Sequence, residues 1–446
     1  MGEYKFSGAV DKTKIFITGN HNLKGRIDSF FYKYEFQELE KRLLQSPFKT
    51  IYLKQLIKSI TNGFDFRDYK TTGTPYIKVA NVKKGEFDFS KIQCIDIEAN
   101  QLTKKIQLKK GNLILTRKGT YGNALALNND YDYVISSEVF YIELKQELVN
   151  SKYLEIFFNS NSGQRQFTRY SIGAIMGSLS QEALRYLQIP LPPLEIQQKI
   201  VAKCQKAYNQ KQIKEKEAKE LLTSIDTYLL NELGITMPVI ENSLESRVFK
   251  VNFSEISGER FDAFAVLNKD YKIEGGKYEN YRLRQIAEVQ KGQSITSAKI
   301  IDGDYPVIAG GQSSPYSHNV YNYENNAITV SASGAYAGFV WYHNTPIFAS
   351  DCSVIQSKDE NNVSTLFLAE VLKTKQKEIY NLQQGAGQPH VYSSDLVKLN
   401  IPVPPKEKQN KIINHILEIR AKAKQLKKEA KNCLEIAKKD IEQLIL

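Results

Sequence analysis

The sequence predicts an α+β fold, in which two β-rich domains are separated by two long antiparallel coiled-coil helices and related by an internal pseudo-twofold repeat. Three observations predict it. The stretch "IPLPPLEIQQKIV" from Ile189 recurs as "IPVPPKEKQNKII" from Ile401. The 446 residues exceed one typical hydrophobic core. Apolar residues after each proline pair recur with the 4-3 spacing of a coiled-coil seam.

The repeat extends well beyond the prolines. Identical residues keep the same offset on both sides of them, at Gly173/Gly385, Leu184/Leu396 and Gln197/Gln409. A weaker similarity joins "GRIDSFF" from Gly25 to "GERFDAF" from Gly258. A constant offset over so many positions indicates an internal duplication, and a period of roughly 210 residues is too long for a solenoid.

Each half contains patterns typical of β-strands. Short runs rich in Ile, Val, Tyr and Thr alternate with Gly and Asn turns. These runs are "TPYIKVANV", "GNLILTRKG" and "DYVISSEVFYIEL", then "YPVIAGG", "AITVSASG" and "TPIFASDCSVI". "SKYLEIFFNSNSGQRQF" and "STLFLAEVLKTKQKEIY" predict short amphipathic helices. We therefore expect a twisted, largely antiparallel sheet in each half.

The proline pairs lead into two long helices, because proline fixes φ and suits the first helical turn. We expect helices over Leu194–Leu233 and from Lys406 to Leu446. The second seam comprises Ile412, Ile416, Ile419, Ala423, Leu426, Ala430, Cys433 and Ala437. The same frame in the first helix gives Ile200, Cys204, Ala207, Lys211, Lys214, Ala218, Leu221 and Ile225, and the two lysines predict a polar centre. A narrow apolar stripe about 60 Å long at ~1.5 Å per residue requires a partner helix, which the duplicate supplies.

These patterns divide the chain into five parts. They are a leader over 1–24, a first β-rich domain over 25–189, a central helical region over 190–234, a linker with a second β-rich domain over 235–400, and a C-terminal helical region over 401–446.

Composition excludes several classes of protein. No run of about 18 apolar residues predicts a membrane span, and no N-terminal secretory signal is present, so we expect no membrane association and a cytoplasmic location. The four cysteines and five histidines lack metal-ligand spacing, so neither a metal nor another cofactor is expected. The net charge of +12 favours a polyanionic partner.

The chain resembles the specificity subunit of type I restriction–modification systems. The resemblance is carried by "LQIPLPPLEIQQKIV" and "LNIPVPPKEKQNKII", and by "GTPYIKV" and "GNLILTRKGTYGN" in the first domain. The second domain has degenerate versions in "GDYPVIAGG" and "ASGAYAG". One departure is the leader before "GRIDSFF", which also occurs in related Type IIB/IIG-like restriction–methylation complexes and leaves that arrangement as an alternative.

The resemblance implies a non-catalytic role. Each recognition domain would read one half of a split target in double-stranded DNA, and the paired helices would set the unread gap. Two adenine-N6 methyltransferase subunits would dock on the helices, and restriction/translocase subunits would join the DNA methylation complex.

Polar and basic residues in loops between strands are the candidate DNA contacts. Arginine suits bidentate recognition of guanine, lysine mainly meets phosphate, and glutamine or asparagine can pair with adenine. The first domain offers Lys78, Asn81, Lys83, Lys84, Arg117, Lys118, Tyr121, Arg165, Arg169 and Tyr170. The second offers Gln293, Gln312, Ser333, Tyr336, Gln383, Gln384, Gln388 and His390. Gly119, Gly122 and Gly334 are expected to shape turns.

Two other functions are weighed against this one. An amino-methyltransferase needs an Asn/Asp-Pro-Pro-aromatic motif, which "LPPLE" and "VPPKE" lack. Asp132, Glu143 and Lys145 faintly resemble a nuclease triad, but the second half has nothing comparable. A purely structural coiled-coil adaptor would explain the helices, but neither the two diverged β-rich domains nor the +12 charge.

Overall fold

The structure is a computed structural model that describes residues 28–96, 106–173, 177–236, 238, 250, 271–385 and 387–446. The leader over 1–24 and the segment "GERFDAF" lie outside the described residues. The chain divides into two compact units: unit 1 contains Met1–Lys214 and Lys428–Leu446, and unit 2 contains Glu215–Lys427. Each unit therefore combines a β-rich part with a portion of both long helices.

The elements of unit 1 precede and include the first half of the long helix. Its strands are β1 (Thr50–Tyr52), β2 (Ile57–Asn62), β3 (Thr74–Ile77), β4 (Val82–Lys83), β5 (Glu86–Phe87), β6 (Gln93–Ile95), β7 (Leu113–Thr116), β8 (Ala124–Ala126), β9 (Val134–Ile135), β10 (Val139–Leu144) and β11 (Gln188–Pro190). Its helices are α1 (Tyr34–Leu44), α2 (Ser151–Asn159), α3 (Asn161–Tyr170), α4 (Gln181–Arg185) and the start of α5 (Leu194–Leu233). Short 3₁₀ turns cover Ser29–Tyr32, Leu53–Gln55 and Val79–Asn81.

Two sheets organise unit 1. An antiparallel sheet has the order β2-β10-β7-β8, and a smaller sheet has the order β6-β3-β9, in which β3 and β9 are parallel. β1 pairs with β11, which closes the unit just before the proline pair. The central strands β7 and β10 are buried over nearly their whole length, because helices α2 and α3 cover one face and an apolar cluster that includes Ile77 and Ile135 covers the other. The largest apolar cluster includes Phe140, Phe157 and Phe167.

Unit 2 repeats this organisation. Its strands are β12 (Asn280–Arg282), β13 (Ala287–Lys291), β14 (Tyr305–Ile308), β15 (Ser317–His318), β16 (Ala327–Ser331), β17 (Val340–His343), β18 (Phe348–Ala349), β19 (Cys352–Ser357) and β20 (Asn400–Pro402). Its helices are α6 (Leu283–Ile286), α7 (Thr365–Thr374), α8 (Gln376–Tyr380), α9 (Ser393–Leu396) and the start of α10 (Lys406–Ile445), and a 3₁₀ turn covers Ser297–Lys299.

The sheet topology confirms the internal repeat. The main sheet of unit 2 has the order β13-β19-β16-β17, the small sheet has the order β15-β14-β18 with β14 parallel to β18, and β12 pairs with β20. Every one of these pairings has its counterpart in unit 1. Each predicted amphipathic segment after the sheet is two helices, with the break at Ser160 in unit 1 and at Lys375 in unit 2.

The long helices run antiparallel within each unit. In unit 1, Lys203 Nζ lies 2.9 Å from an Asp440 oxygen, and Lys214 Nζ lies 2.6 Å from a Glu429 oxygen. Residues later in α5 therefore pair with residues earlier in α10, which shows that the two helices are antiparallel. In unit 2, the Tyr228 and His415 rings lie 4.3 Å apart, in the same sense.

The predicted seam is largely confirmed. The apolar seam residues are buried except Leu221 and Cys433, which are half-buried. Lys211 and Lys214 are also half-buried, and the ion pair between Lys214 and Glu429 makes the centre of this seam polar, as predicted.

A buried glutamine fixes the start of each long helix. Gln197 Nε2 donates to the carbonyls of Pro192 (2.8 Å) and Leu148 (3.2 Å), and its Oε1 accepts from the N–H of Asn150 (2.8 Å). Asn150 is the N-cap of α2. The Gln197 side chain therefore links three segments: the proline turn before α5, the loop after β10 that contains Leu148, and the N-terminus of α2.

Gln409 makes the equivalent bonds in unit 2. Its Nε2 donates to the carbonyls of Pro404 (2.9 Å) and Asn362 (2.8 Å), and its Oε1 accepts from the N–H of Ser364, the residue before α7 (2.9 Å). The repeated motif therefore encodes a repeated attachment between recognition domain and helix.

Stability of unit 2 is expected to fall in mild acid because of His343. This side chain is buried on β17, with Nε2 2.8 Å from the Thr329 hydroxyl, and burial lowers its pKa to about 4. Between pH 6.5 and 4 the unfolded chain binds a proton that the folded chain does not, so stability is present above pH 6.5 and is lost as the pH falls. The expected loss at pH 5 is about 2 kcal/mol.

Urea unfolding at pH 7 and pH 5 measures this loss. Trp341, the chain's single tryptophan, lies on the same strand and provides a fluorescence signal from unit 2. His343→Gln should remove most of the difference between the two pH values. An unchanged pH dependence in that variant would show that other groups cause it.

Candidate nucleic-acid interface

One end of the main sheet of unit 1 is extended by a ladder of loops. The Arg117 N–H donates to the Glu138 carbonyl (2.8 Å), and the Leu179 N–H donates to the Arg117 carbonyl (3.0 Å). Ile172 and Ser178 exchange two backbone hydrogen bonds of 2.9 Å each. We name this surface platform 1 and define it as residues 117–119, 137–138, 171–173 and 177–179.

Unit 2 carries the same ladder. The Ala332 N–H donates to the Asp351 carbonyl (3.1 Å), and the Val391 N–H donates to the Ala332 carbonyl (3.0 Å). Gln384 and His390 exchange backbone hydrogen bonds of 2.8 and 2.7 Å. Platform 2 is defined as residues 332–334, 350–351, 383–385 and 388–391. The backbone of the two platforms therefore follows one plan.

Two glycine pairs make these loops possible. Gly119 and Gly334 occupy equivalent positions with φ of +66° and +88°, where a side chain would be strained. Gly173 and Gly385 likewise have φ of +113° and +100°. The expected turn-forming role of Gly119 and Gly334 is thus confirmed.

The loop between β7 and β8 is one residue shorter than its counterpart between β16 and β17. In unit 1, Thr116 donates its N–H to the carbonyl of Asn123, whereas in unit 2 Ser331 donates its N–H to the carbonyl of Phe339. Tyr121 and Tyr336 lie in these loops, and Tyr336 is exposed. The platforms thus share a frame but present loops of different length.

Five of the ten candidates in unit 1 lie on or beside platform 1. Lys118 is exposed, and Arg117 is half-buried with its guanidinium bonded to the carbonyls of Leu179 and Ser137. The Tyr121 hydroxyl donates to Ser171 Oγ. The other two are Lys78, whose Nζ lies 3.6 Å from the centre of the Tyr69 ring, and Tyr170, which packs edge-on against Phe31.

The remaining five candidates lie elsewhere in unit 1. Three belong to the β4–β5 region: Asn81 is buried and bonded to Lys78 and Asp88, Lys83 pairs with Asp88, and Lys84 is exposed. The pKa of Lys84 is lowered by desolvation and by the charge of Lys438.

Two arginines of α3 face the N-terminal helix instead. Arg169 is 5% exposed, pairs with Glu40 at 3.0 Å, and lies over the Phe31 ring. Arg165 donates to the Glu35 carbonyl at 2.8 Å. Because their guanidinium groups bind protein, neither enters the contact set proposed below.

All eight candidates of unit 2 converge on platform 2. Ser333, Gln383, Gln384, Gln388 and His390 belong to it by definition. Gln293 donates its backbone N–H to Ala349, directly before the platform, and Gly311, next to Gln312, accepts from the Ser331 hydroxyl. The His390 ring stacks on Tyr392 at 6.1 Å. Platform 2 is therefore rich in amide, hydroxyl and imidazole groups, whereas platform 1 offers lysine and arginine.

Two platform carboxylates were not among the sequence candidates. Glu138 and Asp351 each directly precede the central strand of their sheet, β10 and β19. The candidate DNA contacts from the sequence were mainly cations and amides, so these two acids were missed. Aligning "SSEVFYI" with "ASDCSVI" would have shown the acid at the same place in both halves.

The described residues give no support for a metal-dependent active site. Within them, no three His, Cys, Asp or Glu side chains are grouped so that they could hold a metal ion. Glu143 accepts from the Ser59 hydroxyl, and Lys145 donates to the Gln55 carbonyl, so these two members of the faint nuclease pattern have other partners. No helix of the described part of the chain is both long and apolar enough to cross a bilayer.

Two units of one topology, each with a loop platform and a buried attachment to long paired helices, define a duplicated module-and-helix protein. The chain belongs to the family described as type I restriction modification DNA specificity domain, whose model matches residues 45–223 and 276–435.

Particular relatives agree with this assignment. The MpnII specificity subunit of Mycoplasma pneumoniae is 30% identical over 142 residues, which cover 30% of this chain and 42% of that protein. The EcoBI specificity subunit of Escherichia coli is 23% identical over 218 residues, which cover 48% of this chain and 44% of that protein. The chain spans about half the length of the curated relatives it matches.

Solved structures support the fold. A chain from a structural study of complex assembly and conformational transition in a type I R-M system matches with a TM-score of 0.55 and 15% identity. The match covers 90% of this chain and 97% of that one. The predicted fold class, with two recognition-type domains and long helices, is therefore confirmed.

Proposed function

We propose that this chain is the DNA sequence-specificity subunit of a type I restriction–modification system. In this proposal platform 1 reads one half of a bipartite target in double-stranded DNA, and platform 2 reads the other half. The family assignment supports a role in DNA specificity. The net charge of +12 suits a polyanionic substrate.

The observation that carries the proposal is a common backbone frame with unlike side chains. By their hydrogen bonds, Arg117 corresponds to Ala332 and Lys118 to Ser333. In the same way Ser178 corresponds to His390. Backbone and phosphate contacts position a protein on DNA, whereas side chains at base edges read the sequence. Two domains that read different DNA sequences require the same backbone arrangement with different side chains at the positions that meet the bases.

The helices are proposed to set the gap between the half-sites. DNA repeats roughly every 10 base pairs, so two readers must be held at a fixed separation. Paired helices fix a distance better than a flexible linker. The glutamine attachments at Gln197 and Gln409 support this role, because they join each recognition domain to its helix through buried hydrogen bonds.

Catalysis is assigned to partners in this proposal. Two adenine-N6 methyltransferase subunits would dock on the helices, and restriction/translocase subunits would join the complex. The chain itself would supply only target choice. We expect the complex in the cytoplasm, where its DNA substrate lies.

Genome-wide mapping of N6-methyladenine tests the proposal. Strains with and without this gene, in an otherwise intact background, should differ by one two-part motif with an unread gap. The motif should disappear on deletion and return on complementation. A continuous motif, or no change in methylation, would contradict the proposal.

Lys118→Ala should weaken DNA binding without changing the motif. Lys118 is exposed on platform 1, and a lysine that meets phosphate contributes affinity regardless of sequence. We expect a loss of roughly 3- to 10-fold at low salt, and a slope of log K against log salt that is smaller by about one.

Lys109→Ala is the matched control, since Lys109 is also exposed in unit 1 but pairs with Asp130 and precedes β7, whereas platform 1 follows that strand. Mobility shifts of the assembled complex in a salt series measure both variants. Equal effects of the two substitutions would show that platform 1 is not the phosphate-binding surface.

A further inference from the structure

The same acidic position recurs on both platforms. Val139 pairs with Thr116 across the sheet of unit 1, and Cys352 pairs with Ser331 across that of unit 2. Glu138 and Asp351, which precede Val139 and Cys352, are therefore structurally equivalent. Their backbone carbonyls accept the equivalent N–H groups of the neighbouring loop. Both acids lie among the residues proposed to face DNA.

Neither carboxylate forms an ion pair with a cation of the described residues. Within the described residues, no lysine or arginine is within ion-pairing distance of Glu138 or Asp351. Asp351 is exposed, and within the described part of the chain its carboxylate accepts a hydrogen bond from the Ser333 hydroxyl. Glu138 is half-exposed. A carboxylate offers about four acceptor positions, so most of this capacity faces outward.

The position of the Asp351 carboxylate is closely constrained. Ser333 binds one of its oxygens, and the loop containing Gly310 packs against the same place. A Cβ added to Gly310 would lie 2.4 Å from the Ser333 carbonyl oxygen and 3.3 Å from Asp351 Oδ2. The space beside the carboxylate therefore has no room for a side chain at position 310, and the Ser333 hydroxyl bond orients the group within it.

An unpaired carboxylate on a DNA-facing surface opposes binding to phosphate. It becomes favourable only where it meets a hydrogen-bond donor. In the major groove guanine and thymine present acceptors, adenine presents an amino group beside the N7 acceptor, and cytosine presents its N4 amino group. Cytosine is therefore the base whose edge best matches a carboxylate.

We propose that Glu138 and Asp351 are specificity-determining residues, each accepting a hydrogen bond from the N4 amino group of a cytosine in its own half-site. The inference rests on the proposed function and deepens it, because it assigns one base class to one residue in each reader. Each carboxylate disfavours bases that present only hydrogen-bond acceptors, whereas the neighbouring amides and cations contribute favourable contacts with the duplex.

Substitutions that remove the carboxylate charge but keep the shape of the side chain test the inference. Asp351→Asn should relax or shift one position of one half-site from cytosine towards adenine, because asparagine can donate to N7 and accept from N6. Glu138→Gln should do the same in the other half-site only. Discrimination at the affected position should fall by about 5- to 150-fold, the range for one good base contact.

Two controls remove the same charge away from the platforms. Glu147→Gln lies beyond the opposite end of β10 and Glu324→Gln precedes β16, and both residues are exposed. Methylation maps should show the wild-type motif for both controls. The half-site read by the unaltered unit serves as an internal check that each platform variant folds and assembles.

The outcomes separate this inference from the proposed function. A wild-type chain without a two-part motif would reject the proposed function itself. A wild-type motif retained at full discrimination by Asp351→Asn and Glu138→Gln would overturn the inference alone. If a variant methylates too little to map, competition binding of its complex to duplexes carrying each of the four bases at every half-site cytosine decides between the same two results.

Discussion

Gln197→Ala is expected to destabilise unit 1 by about 3–4 kcal/mol, whereas Gln198→Ala should change stability by less than about 0.5 kcal/mol. The two glutamines are adjacent in "IQQKI", but Gln197 is 0% exposed and Gln198 is exposed. Removing the first amide leaves the Asn150 N–H and two carbonyls without their partner. Each unsatisfied buried group costs about 1–3 kcal/mol, partly relieved by local rearrangement.

Urea unfolding of the full chain measures the difference between these variants. Hydrogen exchange locates it: amides near Asn150 and the start of α5 should lose protection in Gln197→Ala alone. Equal unfolding midpoints for the two variants would show that the buried amide is not needed. The comparison is sharp because residue type, helix and neighbouring sequence are shared.

Arg420→Ala is expected to destabilise unit 2 by about 3–5 kcal/mol. The Arg420 guanidinium on α10 binds both oxygens of Glu370 on α7, at 2.7 and 2.5 Å. Glu370 is 2% exposed, so removing the arginine leaves a buried carboxylate with only Lys373 as its cation, at 3.3 Å. A lysine at position 420 should restore part of the loss, because it keeps the charge but not the two-pronged geometry.

The neighbouring Lys422→Ala is the control, since Lys422 is exposed on the same helix. Trp341 fluorescence during urea unfolding reports unit 2. Replacing Arg420 and Glu370 together by apolar residues should be less harmful than removing Arg420 alone, because the buried carboxylate is removed as well and only the half-buried Lys373 loses a partner. A double variant as unstable as the sum of its parts would indicate that the ion pair itself contributes little.

The long-range pattern of the sequence predicted most of the fold. The expected helix over Leu194–Leu233 has those bounds in the structure, and the second helix ends one residue earlier than expected, at Ile445. Hydrophobic periodicity and the positions of prolines determine helix bounds locally, so these bounds could be predicted from the sequence. The duplication also predicted that the two halves share one architecture, but the strand order was not predicted, because the pairing of strands depends on tertiary contacts.

The sequence was a weaker guide to the candidate site than to the fold, and two of the candidate arginines show the reason. Arg165 lies in a segment predicted as an amphipathic helix and Arg169 lies just after it, but their partners Glu35 and Glu40 come from α1, for which no helix was expected above. One sequence without tertiary contacts does not tell whether a cation is already paired. The glutamine-rich candidates of unit 2 lie near one another because they surround a loop that the repeat had aligned, and their contact with DNA stays a prediction.

The two units also differ in the order in which synthesis completes them. Unit 2 is one continuous stretch, Glu215–Lys427, whereas unit 1 needs Lys428–Leu446 as well. Within unit 1, Ile441 and Ile445 join the apolar cluster around Leu154, and the Ser46 hydroxyl donates to the Ile445 carbonyl at 2.6 Å. On the ribosome, the segment translated first must therefore wait, with part of its apolar surface uncovered, until the segment translated last emerges. Nascent-chain protection by chaperones should thus matter more for the first recognition domain than for the second.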